Sequence, residues 1–196
     1  MRNVVTGPCS SRLSHNRSVT STMRPASPIE LELPALQKEG VSLRTVEAAD
    51  YPFLRALYRS VRDTELAPLP WTDAQKQTFC DDQFAHQDRH YRTYYTQTAF
   101  LVIERAQAPI GRLYLNYAPG PLGVMDIALV PAARGQGLGS ALMQWLVAWA
   151  DADQRAMQLF VEADNPARRL YQRLGFVEQG QEGIYLRMRR AAANPG

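Results

Sequence analysis

From residue 41 onward the chain switches repeatedly between a two-residue and a three-to-four-residue hydrophobic period. Val41 to Val46 (VSLRTV) alternates apolar and polar positions, as a half-buried strand does. Phe53, Leu54, Leu57, Tyr58 and Val61 then recur at helical spacing, which predicts a helix capped by Asp50 and ending near Val61. Thr64 to Trp71 carries two prolines and reads as a loop. Thr72-Asp73-Ala74-Gln75 has the form of a capping box opening a second helix to about His90, with Phe79, Cys80, Gln83 and Phe84 near one face.

Strand signals dominate next. Phe100 to Glu104 and Ile110 to Tyr117, separated by a turn over Ala106 to Pro109, predict an antiparallel hairpin. After a turn at Pro119, Gly120 and Gly123, an apolar run from Val124 to Val130 is broken by Pro131 and passes through glycines into a helix, Gly137 to about Ala150. Leu138, Leu142, Trp145, Leu146 and Trp149 form its inward face. Met157 to Val161 is a further strand. Asn165-Pro166 supplies an N-cap and a proline at the first helical position, Gly175 stops that helix, and Phe176 to Gln179 and Ile184 to Arg189 are the last strands. Residues 1 to 35 are too poor in apolar surface to offset ordering and read as a disordered extension ahead of one folded unit, 40 to 190.

Composition narrows the classes. At 196 residues with 45% hydrophobic content, one domain with a sizeable core is expected. The net charge of +3 would point to nucleic acid, but Arg2, Arg12, Arg17 and Arg24 put +4 into residues 1–29, leaving the remainder at −1. A near-neutral body removes that case and leaves no nucleic-acid partner expected. Cys9 and Cys80 make no disulfide framework, which favours a reduced compartment. With no continuous apolar leader segment and no run approaching 20 apolar residues, the chain is expected to be cytoplasmic and without a membrane partner. The Arg- and Ser-rich leader reads as an extension, or as sequence upstream of a true start at Met23, in preference to a transit peptide. His86 and His90 stand one turn apart, but Gln87 takes the place of the glutamate that a zinc protease motif needs, so no metal site is expected.

The candidate chemistry lies in Arg134-Gly135-Gln136-Gly137-Leu138-Gly139. A strand, a glycine turn and a helix start make an anion cradle: glycines let backbone approach a ligand, and the free N–H groups of the first helical turn attract phosphate oxygens. A dinucleotide fingerprint fails on position, since it opens a parallel sheet and only about sixty residues remain here. A Walker A loop fails too, because no Gly-Lys-Ser/Thr occurs in the chain.

The hexapeptide instead matches the Gln/Arg-x-x-Gly-x-Gly/Ala motif of the GCN5-related N-acetyltransferase (GNAT) family, after a strand ending in Leu-Val-Pro. Asn165-Pro-Ala-Arg-Arg-Leu-Tyr171 followed by Leu174-Gly-Phe176 resembles that family's second signature, and the likeness spans about three quarters of the chain. The resemblance implies an α/β (α+β) fold: a mixed, mostly antiparallel sheet of six to seven strands with a splayed cleft strand, flanked by about four helices. It also implies that acetyl-CoA is the cosubstrate. Its pyrophosphate would rest on Gly135, Gln136, Gly137, Leu138, Gly139 and Ser140, with Arg134 adding charge or shaping the loop. Its pantetheine would pair with the backbone of Ile127, Ala128 and Leu129 and touch Asn165.

Tyr171 is the candidate general acid toward the leaving CoA thiolate. An amine acceptor is protonated at neutral pH and must lose a proton before attack. Asp126, Glu162 and Glu65, the last in the expected loop between the first two helices, are the candidate bases. The implied reaction is direct attack of a primary amine, small or peptidic, in a ternary complex, catalysed by a monomer or homodimer. Tyr58 to Tyr95, with Trp71, Asp82, His86 and His90, is the implied acceptor side. A non-catalytic acyl-CoA-binding module on the same fold is the competing expectation.

Overall fold

The structure, a computed structural model, describes Leu36 and residues 40–193. The expected disordered extension, 1–35, lies outside the described residues. Within them the element order is β1 (Val41–Thr45), α1 (Tyr51–Leu66), α2 (Asp73–Tyr94), β2 (Thr98–Arg105), β3 (Ala108–Asn116), β4 (Leu122–Leu129), α3 (Leu138–Ala152), β5 (Met157–Glu162), α4 (Arg168–Arg173), β6 (Val177–Glu182) and β7 (Tyr185–Arg190). Short 3₁₀ turns at Ala48–Asp50 and Pro131–Ala133 precede α1 and follow β4.

The seven strands form one sheet in the order β1-β2-β3-β4-β5-β7-β6. All neighbours are antiparallel except β4 and β5, which run parallel. Alternation divides the side chains of each central strand between two layers. Leu122, Val124, Ile127 and Leu129 of β4 join Met157, Leu159 and Val161 of β5 in the main core, with Leu138, Leu142, Met143 and Leu146 of α3 and Leu170 and Tyr171 of α4. On the opposite face α1 and α2 cover smaller clusters, Leu57, Val61 and Ala128 in one, and Leu54, Tyr58, Cys80 and Phe84 in another. No helix among the described residues is long and apolar enough to cross a membrane.

Several sequence expectations shift in detail. Asp50 stands at the N-cap position of α1, but its side chain makes no cap bond; its carboxylate takes two 2.7 Å bonds from Arg44 and one from the Glu47 N–H. The helix runs on to Leu66, so Glu65 sits in its last turn rather than in a loop, paired with Arg62 at 2.8 Å. Thr72 and Gln75 do form the capping box, and α2 continues to Tyr94. Its buried residues are Cys80, Phe84 and Tyr91, whereas Phe79 and Gln83 are exposed, because the stripe follows spacings of four and seven. The last helix begins at Arg168, later than the proline implied. Asn165 Oδ1 accepts from the Ala167 N–H at 2.9 Å, holding a turn between strand and helix.

Candidate active site

The opening in the sheet is built from register. β4 and β5 share only the rungs Leu122↔Met157, Gly123↔Gln158 and Val124↔Leu159. Beyond Val124 they part. The cause lies on the other side of β4, where Tyr114 pairs with Asp126 and Leu115 with Val124, so Met125 is an extra residue in the ladder. A bulge bends its strand and sharpens its twist, which turns the second half of β4 away from β5 and opens a fork. The Val130 N–H bonds to the Ile110 carbonyl at 2.9 Å. By alternation the peptide groups of Ile127 and Leu129 face the fork, while those of Ala128 face β3. Ala128 packs its methyl against Leu57 and Val61, so of the three residues expected along pantetheine, Ile127 and Leu129 turn their backbone toward the fork.

At the far end of β4 the chain enters the glycine turn. Gly135 and Gly137 have φ of 75° and 82°, and Gly137 is the N-cap of α3. A Cβ at either would meet nothing within 4 Å, so glycine is required there for conformation rather than for space. Leu138, Gly139 and Ser140 form the first turn of α3, whose leading N–H groups lack intrahelical partners. Arg134 points away from that turn: its Nε donates to the Leu129 carbonyl at 2.8 Å and an Nη to Ser60 Oγ at 2.9 Å. Of its two expected roles, the shaping one is what this geometry serves. Gln136 donates to the Ala132 carbonyl and accepts from Arg105 at 3.0 Å, which fixes the loop from two sides.

Tyr171 lies beneath the fork in the main core and is fully buried. Its ring packs edge-on to Phe176, with centroids 6.0 Å apart, and its hydroxyl has no hydrogen-bond partner. Burial raises the phenol well above its ordinary range, and the charge of Asp126 raises it further. A buried hydroxyl without a partner is costly unless a ligand supplies one. The φ-positive glycine turn, the partnerless phenol and the peptide edge of β4 left without a strand partner beyond Val124 are the distinctive features of this site.

The acids separate clearly. Asp126 is wholly buried against a wholly buried Arg112, with contacts of 2.6 and 3.2 Å to Nη2 and Nε. Burial pushes its carboxyl upward, and the guanidinium pulls it back toward the charged form. Both oxygens are committed and no water reaches them, so Asp126 is a poor base, contrary to the sequence expectation. Arg112 is in turn enclosed by the rings of Tyr58, Phe84 and Tyr114 and bonded to Gln87. The sequence reading missed Arg112, which lies 14 residues from its partner and looks like any outward polar position of β3. Glu162 differs from Asp126: β5 alternates buried Met157, Leu159 and Val161 with half-buried Gln158, Phe160 and Glu162, so Glu162 stands on the α2 face past the fork.

Between that face and α2 lies a cavity of roughly 100 Å3, lined by Tyr91, Tyr95, Asn116, Met125, Gln158 and Phe160 beside the last paired rungs. His90 lies against Tyr94 on the same helix, ring centroids 4.8 Å apart and planes tilted by 42°, and His86 is exposed. Trp71 and Asp82 belong to a separate surface groove with Phe79.

Comparison with solved structures agrees with this architecture. The PaiA N-acetyltransferase from Thermoplasma acidophilum in complex with coenzyme A superposes with a TM-score of 0.59 at 15% identity, over 77% of this chain and 98% of that one. The ribosomal-protein-S18-alanine N-acetyltransferase from Escherichia coli gives 0.55 at 17% identity, covering 80% and 96%. A variant of the spermidine N-acetyltransferase SpeG from Vibrio cholerae gives 0.51 at 21%, covering 78% and 94%. Residues 56–176, from α1 through the anchor after α4, match the family model described as Acetyltransferase (GNAT) family. With its mixed seven-stranded sheet, four flanking helices and matched core, the chain belongs to the GNAT acetyltransferase family.

Proposed function

We propose that the protein transfers the acetyl group of acetyl-CoA to a primary amine by direct attack within a ternary complex. The observation that carries this reading is the partnerless, fully buried Tyr171 hydroxyl beneath the fork. The glycine turn and α3 N–H groups, Gly135 to Ser140, would hold the pyrophosphate, and the peptide edge at Ile127 and Leu129 would pair with the pantetheine amides. Asn165, engaged in its turn through Oδ1, keeps its amide nitrogen for the same arm.

The proton steps follow from ordinary acid strengths. A base removes one proton from the ammonium, the amine nitrogen bonds to the thioester carbon, and the C–S bond then breaks with its electron pair on sulfur. Glu162, on the acceptor face of β5, is the base in this reading. A phenol raised above ~10 does not surrender its proton freely to a thiolate whose conjugate acid lies near ~8.5. Tyr171 therefore acts mainly by donating a hydrogen bond to the sulfur as charge builds there: CoA leaves as the hydrogen-bonded thiolate, and the second proton, lost from nitrogen as it becomes the neutral amide, supplies the one that the thiolate takes up. The buried Cys80 thiol, itself raised by burial, is remote from this sequence of steps and consistent with a reduced, cytoplasmic setting.

The deciding measurement is CoA release from acetyl-CoA across a broad amine panel, with mass detection of the N-acetylated product. Amine-dependent release with a product 42 Da heavier supports the enzyme. Tight acetyl-CoA binding with no release from any amine supports instead a non-catalytic acyl-CoA-binding module.

A further inference from the structure

The cavity at the fork limits what can be acetylated. Its walls are Tyr91 and Tyr95 from the end of α2, Phe160 and Gln158 from β5, and Met125 and Asn116 from β4 and β3. Met125 is the bulge residue itself, and Val124↔Leu159, the last rung before the fork, forms the floor. The cavity therefore opens where β4 and β5 separate, on the face opposite α3. No carboxylate lines it among the described residues. Two acids on the elements that form its walls are committed elsewhere: Asp126 is paired with Arg112, and Asp88 accepts from Tyr51 and Arg92. Glu162 is two residues beyond Phe160 on the same face of β5, about 7 Å farther along the strand and toward the open end.

We infer, resting on the acetyltransferase reading above, that the acceptor is a primary amine carried on a compact, uncharged aromatic or branched apolar group. The group fills the Tyr91–Tyr95–Phe160–Met125 cavity while its nitrogen lies in the fork near Glu162. Three considerations carry this. An apolar cavity of ~150 Å3 accepts a benzene ring, and one of roughly 100 Å3 that is open toward the fork takes a phenyl or isobutyl group. Among the described residues the polar groups in the wall are the Tyr91 and Tyr95 hydroxyls and the neutral amides Asn116 and Gln158, and although Asn116 Oδ1 already accepts from the Ala118 N–H, none of them carries a charge. A second ammonium, as in a polyamine, would be buried against aromatic and amide groups with no counter-charge, and an unpaired buried charge is strongly disfavoured.

The full-length protein is assayed with phenethylamine, leucinamide, methylamine, cadaverine and spermidine at fixed acetyl-CoA. Burial of the phenyl or isobutyl group is expected to raise kcat/KM about tenfold or more over methylamine, and both should exceed cadaverine and spermidine by a similar factor. Gln158→Glu places one carboxylate in the wall and should narrow the gap between cadaverine and phenethylamine by about tenfold. Tyr95→Ala removes a wall and should shrink the advantage of phenethylamine over methylamine. Equal rates for methylamine and phenethylamine, or a preference for spermidine, would overturn the inference. In a parallel arm, phenethylamine binding to the CoA-loaded protein is followed by calorimetry. Binding without acetylation keeps the cavity assignment and removes the catalytic reading, whereas no binding removes the cavity assignment.

Discussion

Tyr171 and Asp126 show how far environment, rather than residue type, sets chemical role. Both lie near the fork and both are fully buried, yet one has no partner and the other has two contacts to a single guanidinium. Tyr171→Phe removes the oxygen with little loss of packing, and should lower kcat about a hundredfold or more while leaving the acetyl-CoA dissociation constant within about twofold. Single-turnover rates and calorimetry check the two halves. Because burial raises the phenol, its proton stays in place through the range where the amine deprotonates, so kcat/KM should climb through pH 8 to 9.5 with no falling limb from Tyr171. For Arg112→Ala the expectation is structural: the uncompensated Asp126 costs about 3–5 kcal/mol in urea denaturation. Arg112→Met with Asp126→Leu should recover much of that stability, since a buried ion pair and an apolar pair of similar volume are nearly equivalent.

At the scale of elements, glycine acts in two unlike ways. At Gly137 an added Cβ meets open space, but φ of 82° opposes it, so Gly137→Ala should cost about 1–2 kcal/mol of stability and weaken CoA binding through a reshaped turn. At Gly111 a Cβ would lie 2.4 Å from the Ala128 carbonyl and 2.7 Å from Leu129 Cδ2, so Gly111→Ala pushes β3 from the cleft strand. Thermal melts with parallel CoA titrations separate the cases: the first should lose affinity out of proportion to stability, the second both together.

These contrasts also mark what sequence could convey. Period-two and period-four patterns located nearly every strand and helix, because such periods are local. The glycine turn was legible for the same reason: strand, glycines and helix start are contiguous. Register is not local. The bulge at Met125 depends on which residue of β3 faces it, and the Arg112–Asp126 pair exists only once that register is set. Asp126 thus read as an available acid. Two apolar side chains at adjacent positions misplaced the buried face of α2, where Cys80 and Phe84 point inward and Phe79 outward.

Across the whole molecule, ion pairs fix the first and last strands to the elements beside them. Arg44 of β1 holds Asp50, and Arg190 of β7 holds Asp151 at the end of α3 through two contacts of 2.5 and 2.8 Å. Hydrogen bonds from these guanidiniums hold both carboxyls below their usual range. Depressed carboxyls contribute stability that is present above the unfolded value near ~3.9 and is lost as pH falls through the lower folded values. Acid unfolding should therefore steepen below about pH 4, and Asp151→Asn should flatten that limb. Circular dichroism along an acid titration reads it directly.

The three-rung seam between β4 and β5 has a consequence that needs no turnover to observe. Amide protons along β3 and the paired half of β4 are sheltered by neighbours on both sides, so they should exchange with deuterium slowly. Those of Ile127 and Leu129 face a gap instead, and should exchange orders of magnitude faster in the free protein. An added strand-like ligand would close that difference. Loss of deuterium uptake at these two peptides and in the turn from Gly137 to Ser140, on adding CoA, would imprint the donor's path on the backbone itself.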